Sequence, residues 1–362
     1  MTNQAMTDRA MTNRAMTNRA LQDTARALVA PGKGILAADE STPTMAKRLA
    51  SIGVESTEPV RRAFREILFT TGGLSDFISG VILFDETLRQ RAADGRPFPQ
   101  VLIEAGLIPG IKVDAGTKAL ANFPDEVVTA GLDGLRERFD EYVRLGARFA
   151  KWRAVIRIDG PRPTSTCIAA NAHALARYAA LAQEAGLTPI VEPEVLMDGS
   201  HTIETCAAVT ARVLRVVYDQ LDQHGVVLEG TLLKPNMVLP GKDCPDQVDD
   251  EVIATTTVEV LRRTVPAAVP GIVFLSGGMS DEQASARLDA INRHAPQPWE
   301  LSFSFGRALQ GPVLRAWAGD EARRESAQAA LLHRAGLNGA ARYGTYLPEM
   351  EERSLDDASA AS

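Results

Sequence analysis

Eight short apolar runs, separated by stretches whose apolar residues fall three and four apart, restrict this chain to very few architectures. The runs are GILAAD at 34–39, SGVILFDE at 79–86, PGIKVD at 109–114, RFAKWRAV at 148–155, TPIVEPE at 188–194, LEGTLLKPN at 228–236, GIVFLSGG at 271–278 and WELSFSFGR at 299–307. Between them, residues 132–146, 173–186, 202–224, 248–265 and 282–294 carry the period of amphipathic helices. Strand and helix in alternation predict a parallel sheet with helical crossovers. No linker rich in Gly, Pro or Ser interrupts the chain from Leu21 onward, and no GxGxxG follows the first run, so an open doubly wound sheet fits poorly. The expected fold is α/β, a single (β/α)8 TIM barrel over residues 21–342.

Composition narrows the functions such a barrel could serve. A formal net charge of -7 supplies no basic field for nucleic acid or anionic lipid. No run of about 18 apolar residues crosses a membrane and no apolar leader precedes the barrel, so a soluble, cytoplasmic protein is expected. Three cysteines without CxxC spacing and five scattered histidines make neither a disulfide framework nor a zinc site. No metal and no cofactor is expected. Residues 1–20 are the repeats MTNQA, MTDRA, MTNRA and MTNRA, read as a mobile low-complexity arm or an alternative start, and residues 343–362 as a flexible tail.

The runs pass from apolar to polar along the chain and end in Asp39, Asp85/Glu86, Lys112/Asp114, Lys151/Arg153, Glu192/Glu194, Lys234, Ser276 and Arg307. Side chains two apart on a strand share a face, and barrel enzymes place their chemistry at strand C-termini. Charges at barrel ends can also be structural ion pairs, but eight in register point to one reactive mouth. Lysines crowded by other cations suit a nucleophilic amine, with Lys112 and Lys151 placed to act on Lys234. Counting Arg48, Lys112, Lys151, Arg153, Lys234 and Arg307 against Asp39, Glu192 and Glu194 leaves a local excess of three positive charges, which suits a phosphorylated ligand. Ser276-Gly277 and Gly306-Arg307 end the last two runs, where barrels commonly bind phosphate. Ser41, Thr44 and Arg48 are candidates for a second anion site, with helix capping the alternative use of Ser41 and Thr44.

GKGILAADEST, GRPFPQV, GIKVD, FAKWR, PIVEPE, LEGTLLKPNM, FLSGG and FGRALQ together resemble class I fructose-1,6-bisphosphate aldolase, in that family's order, over about residues 24–320. The resemblance implies reversible cleavage of fructose 1,6-bisphosphate in glycolysis and gluconeogenesis through a Schiff base on Lys234. It implies Glu192 as the acid/base of imine formation, Glu194 and Lys151 as groups that tune it, and Asp39 as the group handling the C4 hydroxyl. It places the 1-phosphate at Ser276, Gly277, Gly306 and Arg307, and the 6-phosphate toward Ser41, Thr44 and Lys112. Sugar phosphates are the expected small-molecule partners, and a homotetramer the expected assembly.

Three departures from the family pattern stand out. The chain ends in Ala361-Ser362 where well-studied members carry a terminal tyrosine that protonates the enamine; Tyr343 and Tyr346 are the nearest tyrosines. Pro43-Thr44 replaces a common Gly-Ser, which would stiffen the loop and alter preference between bisphosphate and fructose 1-phosphate. Phe305 stands where many members have Tyr. The rival readings are another Schiff-base enzyme, such as a transaldolase, and a catalytically retired barrel acting as a scaffold.

Overall fold

The structure is a computed structural model that describes the backbone of residues 3–15 and the whole of residues 16–294 and 296–352. Ten strands occur among the described residues: β1 (Gly34–Ala38), β2 (Ile78–Leu83), β3 (Ile108–Lys112), β4 (Thr117–Ala119), β5 (Val127–Thr129), β6 (Phe149–Ile156), β7 (Thr188–Val195), β8 (Leu232–Leu233), β9 (Gly271–Phe274) and β10 (Glu300–Phe305). Eight close a barrel in the order β1-β10-β9-β8-β7-β6-β3-β2, with every pair parallel. β4 and β5 form a separate antiparallel hairpin, absent from the sequence reading. The five helical stretches appear as Leu135–Arg144, Ser165–Glu184, Ile203–Gln223, Asp250–Thr264 and Asp281–Arg293.

The barrel interior follows the two-residue period of its strands. Ile35, Ala37, Ile82, Phe149, Ile190, Leu232 and Val273 meet in one dry cluster along the axis. Phe149 fills the space above Gly110, where a Cβ would stand 2.3 Å from its ring. Fully burying a side chain of that size stabilises the fold by about 1.5–3 kcal/mol. Outward-facing residues such as Trp152, Val191 and Phe305 join the larger core under the helices.

The N-terminal repeats are the first difference from the sequence reading: an unbroken helix runs from Asn3 to Leu28. Their units contain neither Gly nor Pro and are rich in Ala, Met and Arg, so nothing local stops helix propagation. The end of this helix plugs the bottom of the barrel with Ala25 and Leu28, which join the interior cluster, and Thr188 donates a hydrogen bond to the Leu21 carbonyl at 3.0 Å. At the other terminus the expected tail is described only to residue 352, and 353–362 lie outside the described residues. The Tyr346 N–H donates to Asp289 at 2.8 Å, the Tyr346 hydroxyl donates to Glu351 at 2.8 Å, and Arg334 also grips Glu351.

Two of the eight runs end differently from expectation. β2 stops at Leu83, and Asp85 and Glu86 open a helix, Asp85–Arg89. Asp85 pairs with Arg89 and accepts from the Tyr142 hydroxyl, while Glu86 pairs with Arg61, so neither joins the mouth. The sixth run contributes only two strand residues, because Leu228–Gly230 is a 3-10 turn and Pro235 lacks the N–H to extend the ladder.

Candidate active site

One step of two residues beyond the dry cluster converts the interior from apolar to ionic. Ala37 is followed by Asp39, Phe149 by Lys151, Ile190 by Glu192 and Leu232 by Lys234. The backbone around Lys234 is clamped on both sides: its N–H donates to the Val191 carbonyl at 2.8 Å, and the Pro235 carbonyl accepts from Leu275 at 3.1 Å. The Asn236 side chain adds a third tie by accepting from the Val195 N–H at 3.0 Å. The amine therefore rises from a fixed backbone.

Glu192 bridges two lysines. Lys234 Nζ lies 3.2 Å from Glu192 Oε1, and Lys151 Nζ lies 2.9 Å from Glu192 Oε2 and 2.7 Å from Asp39 Oδ2. Lys151, Glu192 and Lys234 are each less than 5% exposed. Burial alone would raise the Asp39 and Glu192 carboxyls, but Lys151 and Lys234 outweigh it and hold both below the ordinary carboxylate range. Burial likewise opposes the charge on Lys151, yet Asp39 and Glu192 raise its ammonium above the usual lysine range. At neutral pH the cluster is thus two carboxylates held ionised around a charged Lys151. Glu192 is the carboxylate within reach of the Lys234 proton.

The rest of the cleft surrounds this centre. Every residue expected at the site lines it: Asp39, Ser41, Thr44, Arg48, Lys112, Lys151, Arg153, Glu192, Glu194, Lys234, Ser276, Gly277, Gly306 and Arg307. Glu40, Gly116, Thr117 and Ser304 line it too and are not among the expected site residues, and neither is Asp114, although it ends one of the eight runs. Asp114 was visible as the end of the third run and sits two residues after Lys112, the same-face spacing used elsewhere, so the signal was available. Lys112 reaches Asp114 at 3.1 Å and lies 5.8 Å above the Phe84 ring. Counting Glu40 and Asp114 corrects the charge balance: six cations face five carboxylates, an excess of one instead of three.

Most of those cations are already paired, Arg153 to Glu194 and Arg48 to Glu40. Arg307 differs, being exposed and free of any ion pair among the described residues. It begins the helix Arg307–Trp317, whose unsatisfied N–H groups favour an anion. Opposite, Gly277 packs so closely that a Cβ would stand 3.0 Å from Glu194 Oε1. At the other end Ser41 precedes the helix Thr42–Ala50 without capping it through its side chain, and its hydroxyl instead meets Thr44 at 3.1 Å. The capping alternative is therefore not what Ser41 does here. Pro43 occupies the first turn of that helix, a position proline suits, so it continues a helix start and does not stiffen a loop.

The tyrosine expectation changes with the fold. Tyr343 packs against Gly32 in the turn entering β1, at the closed end of the barrel, and Tyr346 is held by Asp289 and Glu351. Neither lines the cleft. Phe305 is fully buried with its ring 5.3 Å from that of Phe303, outside the barrel interior.

Comparison with known proteins comes down on one family. The family model of fructose-bisphosphate aldolase class-I matches residues 20–361. A probable fructose-bisphosphate aldolase class 1 of Xanthomonas axonopodis pv. citri is 57% identical over 90% of this chain and 97% of its own length. A cytoplasmic isozyme of fructose-bisphosphate aldolase from Pisum sativum is 59% identical over 87% of this chain and 88% of its own. A solved structure of fructose-bisphosphate aldolase from Plasmodium falciparum, in complex with TRAP and a small-molecule inhibitor, superposes with a TM-score of 0.91 at 50% identity, covering 92% of this chain and 96% of that one.

Proposed function

Because this chain belongs to the class I fructose-bisphosphate aldolase family, a family of lyases acting on fructose 1,6-bisphosphate, we propose the part each cleft residue plays. Lys234 is the nucleophile. Its proton passes to Glu192, the amine attacks the C2 carbonyl, and Glu192 returns a proton to the departing hydroxyl as the carbinolamine loses water. The protonated imine withdraws electrons from C3. Asp39 takes the C4 hydroxyl proton, the C3–C4 bond breaks, and its electron pair forms the enamine. Glyceraldehyde 3-phosphate leaves; protonation at C3 and hydrolysis of the imine then release dihydroxyacetone phosphate.

The observation that carries this reading is Glu192 within 3.2 Å of Lys234, with Lys151 bridging Glu192 and Asp39 at 2.9 and 2.7 Å. Lys151 and Lys234 thus keep both carboxylates ionised in the resting cleft, so that each has a lone pair to take a proton as the reaction proceeds. Glu194 fixes Arg153 beside Glu192 and so tunes the centre from the outside. Ser276, Gly277, Gly306 and Arg307 take the 1-phosphate, and Ser41, Thr44, Arg48 and Lys112 the 6-phosphate. Neither Tyr343 nor Tyr346 lines the cleft, so in this reading another group protonates the enamine and that protonation is comparatively slow. A homotetrameric state and a cytoplasmic location rest on family membership and on the names of plant relatives.

The test is chemical. The enzyme is incubated in EDTA with dihydroxyacetone phosphate, reduced with borohydride and mapped by peptide mass spectrometry. The expected result is a reduced adduct on Lys234 and loss of cleavage activity. An adduct on another lysine, or activity abolished by EDTA alone, would remove Lys234 from this role.

A further inference from the structure

Gln310 lies behind the cleft, has no exposed surface, and belongs to no part of the chemistry above. Its amide nitrogen donates to the Ala37 carbonyl at 2.6 Å and to Glu40 Oε1 at 2.8 Å, and its amide oxygen accepts from Arg65 at 3.0 Å. Glu40 in turn holds Arg65 through Oε2 and Arg48 through Oε1, both at 2.5 Å. Gln310 stands one helical turn after Arg307, on the helix that begins at one anion-binding end of the cleft. Glu40 and Arg48 belong to the segment that carries Ser41 and Thr44 at the other end. The two ends are also in direct contact behind the centre: a Cβ on Gly306 would stand 3.2 Å from the Ala37 carbonyl and 3.7 Å from Glu40 Oε1.

We propose that Gln310 is a positioning residue that ties the two anion-binding ends of the cleft to each other, so that the network Gln310–Glu40–Arg65–Arg48 sets the preference for a ketose with two phosphates over one with a single phosphate. The proposal rests on the assignment of the two phosphates made above. The physical reason is that a bisphosphate must engage both ends at once. Its binding depends on the span between the Arg307 helix and the Ser41–Arg48 segment, whereas a 1-phosphate uses only the first. A buried amide that satisfies a strand carbonyl, a carboxylate and a guanidinium together admits one geometry. Removing it takes one buried hydrogen bond from each of the three groups, leaves Glu40 held only by Arg65 and Arg48, and lets the Ser41–Arg48 segment settle independently of the helix.

The experiment uses the full-length enzyme carrying Gln310→Met, which keeps length and volume and removes all three hydrogen bonds. Both fructose 1,6-bisphosphate and fructose 1-phosphate are assayed, with borohydride trapping of dihydroxyacetone phosphate as a third readout. The expected result is a fall of about tenfold or more in the ratio of kcat/KM for the bisphosphate to that for the monophosphate, carried mainly by KM, with the Lys234 adduct still forming. Arg65→Lys, which keeps the charge but cannot span Gln310 and Glu40 together, is expected to move the ratio in the same direction by less. It also serves where the first variant fails to fold. An unchanged ratio in the folded variants overturns the proposal, as does an equal loss for both substrates that follows thermal stability. A variant in which the ratio moves but no adduct forms on Lys234 counts against the assignment of the nucleophile and not against Gln310.

Discussion

The two ends of the barrel are made by the same strands, two residues apart, yet they obey opposite rules. At the closed end Ile35, Phe149, Ile190 and Leu232 share a dry cluster with Ala25 and Leu28 of the N-terminal helix. At the open end Lys151, Glu192 and Lys234 are equally buried but ionic, and every charge among them is held by another. Burying apolar surface favours folding, whereas burying an ion pair roughly breaks even at best. The apolar layer therefore holds the fold that keeps the ionic layer dry, and the ionic layer adds reactivity with little stability. If that division is right, substitutions one step apart on a single strand should affect different measurements.

The largest effect falls on the ionic layer. Lys234→Met is expected to lower kcat/KM by at least about 10⁴-fold, as loss of a covalent nucleophile does in other enzymes. Its unfolding free energy should change by less than about 2 kcal/mol, because Glu192 keeps Lys151 as a counter-charge. Steady-state kinetics beside urea unfolding would separate the two, and a collapse of stability would break the division of labour between the layers.

Two residues below the ionic layer, Phe149→Ala should do the reverse. The cavity left above Gly110 is expected to cost about 3–5 kcal/mol in urea unfolding. The surviving folded protein should still form the borohydride adduct on Lys234. A variant of full stability that cannot form the adduct would mean that Phe149 serves the reaction directly.

The period-two pattern made much of this legible in advance. A strand whose inward side chains run Phe149, Lys151, Arg153 announces both its buried layer and its reactive end, and the same holds for Ile190, Glu192 and Glu194. What the pattern could not convey was which charges turn inward past the last strand residue. Asp85 and Glu86 carry the same apolar-to-acidic signature, but the chain turns into a helix at Asp85 and sends them to Arg89 and Arg61. Glu40 follows Asp39 directly, so alternation assigns it the opposite face. It reaches the cleft because Arg65 and Gln310, 25 and 270 residues away in sequence, fold over it. Contacts of that kind depend on the closed barrel, and no local periodicity carries them. The N-terminal repeats are legible in a different way: their short period marks low complexity, while the helix that forms there follows from residue types and not from a hydrophobic period.

Acid sensitivity should separate the layers as well. The Asp39 carboxyl is held below its ordinary value, so its contribution to stability is complete above the unfolded-state pKa of about 4 and is lost as pH falls toward the folded one. Lys151 has the opposite sign: its raised pKa keeps its contribution present until the pH passes the lysine range, so it adds nothing to the acid limb. Asp39→Asn is therefore expected to flatten the stability curve below about pH 4 by up to about 1.4 kcal/mol per pH unit. Urea titrations between pH 3 and 6 would show it. Parallel curves for the two proteins would mean that Asp39 is not ionised beside Lys151.

The smallest effect is the sharpest test of where the closed end stops. Tyr343 and Tyr346 are the two tyrosines furthest along the sequence, and sequence distance alone offers them as donors to the enamine. Tyr343 lies against Gly32, below the dry layer and separated from Lys234 by the packed interior, with its ring largely exposed to solvent. A group there cannot deliver a proton to an enamine formed at the mouth without leaving its place. Tyr343→Phe is expected to change the exchange of the C3 proton of dihydroxyacetone phosphate with solvent by less than about twofold, since it removes only an exposed hydroxyl. Tyr346→Phe loses its hydrogen bond to Glu351, worth about 1 kcal/mol of stability, with the same small effect on exchange. Proton exchange followed by NMR in deuterated buffer decides the matter. A tenfold slowing in the first variant would place the C-terminal segment over the mouth during turnover, and the two ends of the barrel would then share one catalytic cycle.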